Sequence, residues 1–468
     1  MNKTYQIIEI NPSIFRAYDI RGLVDSQLSE DVYFTIGFAL ARILKKHHRQ
    51  KIAIAWDGRL TSRSYAHALA QALSYQNIQV TFLGMVPTAC MYYATHYLDM
   101  DCGLMVTGSH NPKEYNGLKI VLAGQTAHQE QIQEILAETQ KLEKGLSVSE
   151  EKYDIHEVDI VTPYIEEILG DVHLTRPLKV IADFGHGVGA GIGPELFKQL
   201  GCELISLFDT VDGNFPAHHP DPTIPKNLED LQKALRNYQA DIGLAFDGDA
   251  DRLGVVTPEG EIIWPDRVML ILARDVLKRK PKSKIVYDVK CSKQLKEGIL
   301  QAGGQPIMSP TGHSLVKGIM RAEKAELAGE MSGHIFFKER WYGFDDGLYS
   351  ACRLLEILSQ FPTSNALFAT LPPTPISTPE LKIEIAEHKK FQFMHSFAEL
   401  AKFEDAELIT IDGLRLEFKN GWGLLRASNT SPCLVSRFEA QSEADLVYIQ
   451  ALFKQEIHKI DANLILPF

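Results

Sequence analysis

The sequence predicts an α/β protein built from a repeated unit, with a smaller α+β unit at its C-terminal end. Two observations carry this. Three segments share one pattern: KIAIAWDGR at Lys51–Arg59, KVIADFGHG at Lys179–Gly187 and KIVYDVKCS at Lys284–Ser292. Each is a lysine, then a β-rich apolar run, then an aspartate where the run stops. Continuous apolar runs of this length fit parallel strands covered on both faces. The chain also has 468 residues, more than one hydrophobic core organises, so several domains are expected.

Each of the three segments leads into a helix-like stretch and then a second strand after polar or glycine residues: NIQVTFLG, GCELISLF and GGQPIMSP. That order is a βαβ unit. A further strand follows in each: DCGLMVTGSHNP, ADIGLAFDGDADR and AELAGEMSGH. The three most unusual loops of the chain therefore end equivalent strands. Ligands of open α/β sheets bind beyond the carboxyl ends of strands, so the repeat can aim three loops at one cleft. The polar stretch EKGLSVSEEKYDIHE separates the first unit from the second, and a change near Pro258–Pro265 separates the second from the third. The proline-rich LPPTPISTP at Leu371–Pro379 is the clearest linker. Beyond it the strand-like ELITIDG, LRLEFKN and WGLLRAS lack the lysine–aspartate signature. The expected domains are residues 1–155, 156–258, 259–371 and 372–468.

Composition narrows the function. Hydrophobic residues make up 45% and charged residues 23%, ordinary globular values. The net charge of −12 argues against a nucleic-acid or anionic-membrane partner, since both call for clustered lysine and arginine. The six cysteines are scattered without metal-ligand spacing, which suits a reduced compartment. MNKTYQIIEINPSIF lacks the apolar stretch of a signal peptide, and no run approaches the roughly 20 residues that span a bilayer. A cytoplasmic protein is expected.

Four loops are candidates for chemistry. In DGDADR, Asp247, Asp249 and Asp251 alternate, so an extended backbone turns them to one side. Three neighbouring carboxylates repel unless they share a cation, and oxygen ligands select a hard one. An EF-hand is excluded, because Arg252 takes the position that needs glycine and Pro258 the position that needs glutamate. Three protein oxygens leave room for a phosphate ligand, which favours Mg2+. In RASNTSP, Arg426 offers a planar fork of donors for phosphate, completed by serine and threonine hydroxyls. In GEMSGH, Glu330 and Ser332 suit sugar hydroxyls, and His334 suits a phosphate or hydroxyl beside them. MVTGSHNPKEYNG places Ser109 in a tight turn directly after a buried strand. By itself that turn reads equally well as surface.

FRAYDIRG, TGSHNPKEYNG, DGDADR, GEMSGH and RASNTSP occur in this order and over this length in the α-D-phosphohexomutases. The chain resembles that superfamily, in its bacterial phosphomannomutase/phosphoglucomutase branch, over essentially its whole length. The resemblance implies three related α/β domains with mixed sheets, plus a C-terminal α+β domain, around a central active-site cleft. It implies that Ser109 is the phosphorylated serine and that Asp247, Asp249 and Asp251 hold Mg2+, with the phosphoserine adding an oxygen. It further implies Glu330 and Ser332 as sugar-hydroxyl contacts, and Arg426, Ser428, Asn429 and Thr430 as the clamp on the phosphate that is not transferred. Tyr18, Arg21, His110, Lys119, Arg252, Lys290, His313 and His334 match further active-site positions. The four domains would then bear the phosphoserine, the metal, the sugar loop and the phosphate clamp in turn.

The implied reaction interconverts hexose 1-phosphate and hexose 6-phosphate, for mannose and glucose, through a phosphoserine enzyme and a hexose 1,6-bisphosphate. Glucose 1,6-bisphosphate would act as activator. His313 and Lys119 are both candidates for the general base. Phosphoglucosamine mutase is the nearest alternative, although its sugar loop usually has glutamine where this chain has Met331. A sugar phosphatase and a non-catalytic sugar-phosphate binder are the competitors from other classes. Sugar phosphates are the only partners implied, and a monomer is expected, with a dimer as the alternative.

Overall fold

A computed structural model describes residues 4–149, 156–428 and 432–468. Among them the strands form four large sheets and a two-stranded ribbon. The first sheet centres on Lys51–Trp56, flanked in parallel by Gln79–Met85 and Gly103–Val106. Tyr115–Leu122 then returns antiparallel to Gly103–Val106. The second sheet repeats this around Lys179–Asp183, with Glu203–Leu207 and Ile242–Phe246 parallel and Leu253–Val256 reversed. The third repeats it around Lys284–Asp288, with Gln305–Ser309 and Leu327–Gly329 parallel and Ile335–Phe337 reversed. Each lysine–aspartate segment is thus an interior strand with a parallel neighbour on either side. The sheets are mixed because the fourth strand of each unit turns back. The short strand His156–Glu157 adds to the first sheet in parallel beside Gln79–Met85.

Helices cover the sheets where amphipathic segments carry end signals. Glu30–Lys46 starts at Ser29, whose side chain accepts from Val32 N–H, and bears Glu30 and Asp31 at its start and Lys45 and Lys46 at its end. That arrangement satisfies an orphan donor and complements the helix dipole.

One apolar core runs from Ala53 to Leu371 and so joins the first three sheets. A second lies on the other face of the first sheet, under Glu30–Lys46 and Ser62–Tyr75. The fourth sheet is antiparallel, built on Gly421–Ala427, Leu414–Phe418 and Cys433–Ala440, and closes its own core against Glu443–Ile460. Its seam with the third unit is polar: Arg415 donates to the carbonyls of Val289 (2.6 Å) and Cys291 (2.7 Å). Ser292 there donates to Glu439 (2.8 Å). The architecture is three related α/β units with mixed sheets and a C-terminal α+β unit.

Candidate active site

The loop after Gly103–Val106 places Ser109 at φ +49°, a left-handed conformation that costs a serine roughly 1–3 kcal/mol. Its Oγ donates to Asp247 Oδ2 at 2.8 Å and lies 3.4 Å from His110 Nδ1. Asp247 comes from the loop after Ile242–Phe246, so the first and second units meet at this bond. Gly248 permits the approach: a Cβ there would stand 2.5 Å from the Ser109 carbonyl oxygen.

The three aspartates converge. One oxygen of each of Asp247, Asp249 and Asp251 lies within 4.8 Å of the others, and all three residues are buried. Asp249 accepts from Thr88 Oγ1 (2.6 Å) and Lys119 Nζ (2.7 Å), and Asp251 accepts from the same ammonium. Asp249 Oδ1 and Asp251 Oδ1 have no hydrogen-bond partner among the described residues. Burial and the neighbouring Asp249 and Asp251 push the Asp247 carboxyl well above the usual carboxylate range. Burial would raise Asp249 too, but Lys119 outweighs it and holds that carboxylate below its ordinary value. Burial and Asp249 raise Asp251. Lys119 is in turn held firmly protonated, Asp249 and Asp251 overcoming its burial. Buried, oxygen-only and partly unpartnered, this set fits a hard divalent cation.

The third unit closes the far side. Arg252 Nε donates to His334 Nε2 at 3.1 Å, which assigns the His334 proton to Nδ1. That nitrogen lies 3.2 Å from Asp345 Oδ2 and 3.4 Å from Asp251 Oδ1. Asp251, His334 and Asp345 also cluster closely enough to hold an ion, but His334 Nδ1 would first have to give up that proton. Asp345 further accepts from Lys317 at 2.8 Å and faces His313 Nδ1 at 3.6 Å. Burial and Lys317 keep the His313 imidazole neutral. Tyr18 meets the His313 ring edge-on, 5.3 Å between centroids, and burial pushes its hydroxyl up to about 12. Glu330 is buried and accepts from Gly312 N–H at 2.7 Å, next to His313. Ser332 is half-buried on the same loop. Arg21 donates to the Gly108 carbonyl (2.6 Å), to Asp19 (2.6 Å) and to the Asn111 side chain.

The phosphate-clamp candidates sit across the cleft. Arg426 Nε donates to Asp412 Oδ2 at 2.9 Å, and the same oxygen accepts from Thr311 N–H at 3.0 Å, tying the fourth unit to the His313 loop. Lys290 donates to Glu380 at 2.6 Å. Ser428 is buried beside Arg426, whereas Asn429 and Thr430 lie outside the described residues.

Sequence patterns brought Ser109, the aspartates and the basic groups together. They missed Thr88, Lys317, Asp345, Asp412 and Glu380, which act on partners far along the chain. Asp57 and Asp288 carried a signal, since both end a repeated strand. Asp57 accepts from Gly108 N–H at 3.1 Å and Asp288 from Met331 N–H at 3.2 Å, so each anchors the loop of its own unit.

Profiles of the phosphoglucomutase/phosphomannomutase family match four consecutive stretches. Its alpha/beta/alpha domains I, II and III match residues 12–145, 162–260 and 264–373, and its C-terminal domain matches 380–455. The chain belongs to this family. It is 47% identical over 470 residues to the phosphomannomutase/phosphoglucomutase of Pseudomonas syringae pv. tomato, covering all of both chains. It is 48% identical to the phosphoglucomutase of Neisseria meningitidis serogroup A, over 97% of this chain and 98% of that one. A crystal structure of a phosphoglucomutase/phosphomannomutase family protein from Burkholderia thailandensis superposes with a TM-score of 0.92 at 45% identity. It covers 98% of this chain and 100% of the other. The chain is thus an enzyme of the phosphohexomutase type, and sugar phosphates are its substrate class. Among the described residues no helix is long and apolar enough to cross a membrane.

Proposed function

We propose that this enzyme interconverts the 1- and 6-phosphates of glucose and mannose, passing one phosphoryl group out from Ser109 and taking another back. The observation that carries the proposal is the Ser109 Oγ bond to Asp247, within a buried triad of carboxylates. Such a serine is aimed, not merely exposed. Asp247, Asp249 and Asp251 would hold Mg2+, which when bound supplies positive charge beside the transferring phosphoryl oxygens.

Phosphoryl transfer needs position and charge more than covalent help. Arg21, Lys119 and Arg252 gather cations around Ser109, and Arg426 with Lys290 holds the phosphate that stays behind. Glu330 and Ser332 hold hydroxyls of the ring. An imidazole fits the proton acceptor better than Lys119, because two carboxylates keep Lys119 as an ammonium while burial keeps His313 neutral. The bisphosphate formed in the first half turns over in the cleft, and its other phosphate returns to Ser109. Glucose 1,6-bisphosphate would prime an enzyme that has lost its phosphate.

Both poses are served by one sugar loop, so the hydroxyls it grips must occupy similar places before and after the turn. O3 and O4 meet that condition; C2, where glucose and mannose differ, does not. The two sugars should therefore show kcat/KM values within about tenfold, or about 1.4 kcal/mol. The test combines intact mass with product analysis. Added glucose 1,6-bisphosphate and Mg2+ should leave one phosphate on Ser109 and yield hexose 6-phosphate with little free phosphate. Free phosphate as the main product would instead make the enzyme a phosphatase, and a preference beyond a hundredfold would show that C2 is read.

A further inference from the structure

Arg59 lies one repeat strand away from Ser109 and has no free donor to offer a substrate. Its Nε–H donates to Asp57 Oδ2 at 3.2 Å. Nη1 donates to the carbonyls of Pro112 (2.7 Å) and Tyr115 (2.9 Å), and Nη2 to those of Ser109 (2.8 Å) and Asn111 (2.6 Å). A guanidinium carries five N–H donors. All five are used, three of them on the backbone of the Ser109 loop and a fourth on Tyr115, the first residue of the strand that follows it.

The surroundings are built around this contact. The Arg59 side chain is 1% exposed. A Cβ at Gly108 would stand 2.3 Å from Nε, so glycine is what lets the guanidinium lie against the loop. The ring of Phe215, from the second unit, covers it at 5.1 Å. Asp57 holds the donors of the same loop while Arg59 holds its acceptors. It accepts from Gly108 N–H (3.1 Å) and Thr107 Oγ1 (2.8 Å), and Thr107 Oγ1 accepts from Ser109 N–H (2.8 Å). The third repeat offers an internal contrast. Two residues beyond Asp288 stands Lys290, also buried, whose ammonium bonds the Glu380 carboxylate at 2.6 Å. The lysine pairs with a side chain of the fourth unit, whereas the arginine at the matching place in the first unit is spent on the backbone of its own unit.

We infer that Arg59, seated by Asp57, is a positioning residue for phosphoryl transfer. It fixes Ser109 in its left-handed conformation with Oγ toward Asp247, phosphorylated or not, so the sugar moves between the two half-reactions and the loop does not. The inference rests on Ser109 as the phosphorylated residue. A loosened loop would expose the phosphoserine to water. The water oxygen would then attack phosphorus, the Oγ–P bond would break, and serine hydroxyl and inorganic phosphate would result.

Arg59→Lys keeps the charge beside Asp57, but a single ammonium cannot reach four carbonyls. The folded variant should keep KM within about threefold while kcat falls about 100-fold, the scale of a small misplacement of reacting atoms. Free phosphate per turnover should rise at least about tenfold over wild type, measured after loading with glucose 1,6-bisphosphate. Unchanged kcat and unchanged phosphate release in folded Arg59→Lys would overturn the inference, as would a loss confined to KM. Nitrogen-15 NMR of the wild-type enzyme provides a check independent of any variant. Arg59 should show separate, slowly exchanging Nη–H signals in both the phosphorylated and the dephosphorylated enzyme, and one averaged signal in either would overturn it too. Peptide mapping of loaded wild type separates the two ideas. No phosphate on Ser109 would sink the serine assignment beneath this inference, whereas phosphorylated wild type with an indifferent Arg59→Lys would sink the inference alone.

Discussion

The two sides of the site to which phosphate handling is proposed are built on opposite principles. Around Ser109, first- and second-unit loops meet through buried bonds, on a core the first three units share. Across from it, Arg426 pairs with Asp412, and Lys290 pairs with Glu380 at 2.6 Å and more distantly with Asp288 at 3.9 Å. The fourth unit that carries Arg426 keeps a core of its own, and Val289, Trp422 and Leu424 form a small fully buried apolar patch at its seam. The difference follows from what each side must do. A nucleophile gains from being fixed before the substrate arrives. A clamp that must bind a phosphate, let it go and bind the other gains from cations that already have partners. Binding then exchanges one carboxylate for one phosphate, and the net affinity stays modest.

The largest expected effect breaks the fixed side. Ser109→Ala removes the hydroxyl proposed to accept the phosphoryl group, so kcat should fall at least ~10³-fold, more than about 4 kcal/mol of barrier. KM for hexose 1-phosphate should barely move, because Arg426, Lys290 and Glu330 are untouched. Steady-state kinetics with mass spectrometry for residual phosphate would decide it. A Ser109→Ala enzyme turning over near the wild-type rate would remove the asymmetry altogether.

The converse substitution sharpens the comparison. Arg426→Ala deletes charge-assisted bonds worth about 1.5–3 kcal/mol each, or roughly 10–100-fold in KM. The lower end is expected, since wild-type Arg426 must first give up Asp412. The loss should fall on KM, with kcat much less affected and phosphorylation of Ser109 intact. A defect confined to kcat would show that Arg426 acts in the transition state and that both sides of the cleft are equally committed to chemistry.

Much of the fixed side was legible in the sequence, and the reason is local. The lysine–apolar–aspartate repeat marked an interior strand in each of the three sheets, because that pattern is set by backbone periodicity. DGDADR marked the carboxylate cluster for a different reason than its alternation suggests: the segment is a turn, with Ala250 at φ +57°, and not an extended strand. What stayed hidden depends on distant partners. Thr88 serves Asp249 across 161 residues, and nothing in PTAC advertises that. The adjacent Asp345 and Asp346 part ways: the first faces His334 and Lys317, while the second caps helix Gly347–Ser359 and accepts from Tyr164 at 2.9 Å. No spacing rule separates those roles. The reversed fourth strands of the second and third units were implied by the resemblance to mixed-sheet relatives but not readable from pattern, because Leu253–Val256 and Ile335–Phe337 are short and buried on every residue. Asp57 was visible as a strand end, yet Arg59 two residues later became meaningful only when its donors were traced to Pro112 and Tyr115.

The smallest effect probes the exchangeable side through pH. Lys290 beside Glu380 lowers that carboxyl to about 2 from an ordinary 4.5, burial opposing it. A carboxylate whose folded pKa is depressed stabilises the fold above its unfolded value, and that contribution is lost as pH falls from about 4.5 through about 2. The Glu380 side chain is 39% exposed, so solvent screens the pair and its worth is about 0.5–1 kcal/mol. Such a term cannot unfold the chain, but it acts on a seam held mostly by polar bonds. Protection factors of amides in strand Leu414–Phe418 should therefore fall by up to about fivefold between pH 5 and pH 3, after the slower intrinsic exchange in acid is divided out, while those in strand Gly103–Val106 of the shared core hold. Glu380→Gln should show the lower seam protection already at pH 5, with a shallower fall on acidification. If the variant keeps the full wild-type pH dependence, other carboxylates at the seam carry the acid response. If Gly103–Val106 opens in step with Leu414–Phe418, the two sides share one cooperative unit and the contrast drawn between them fails.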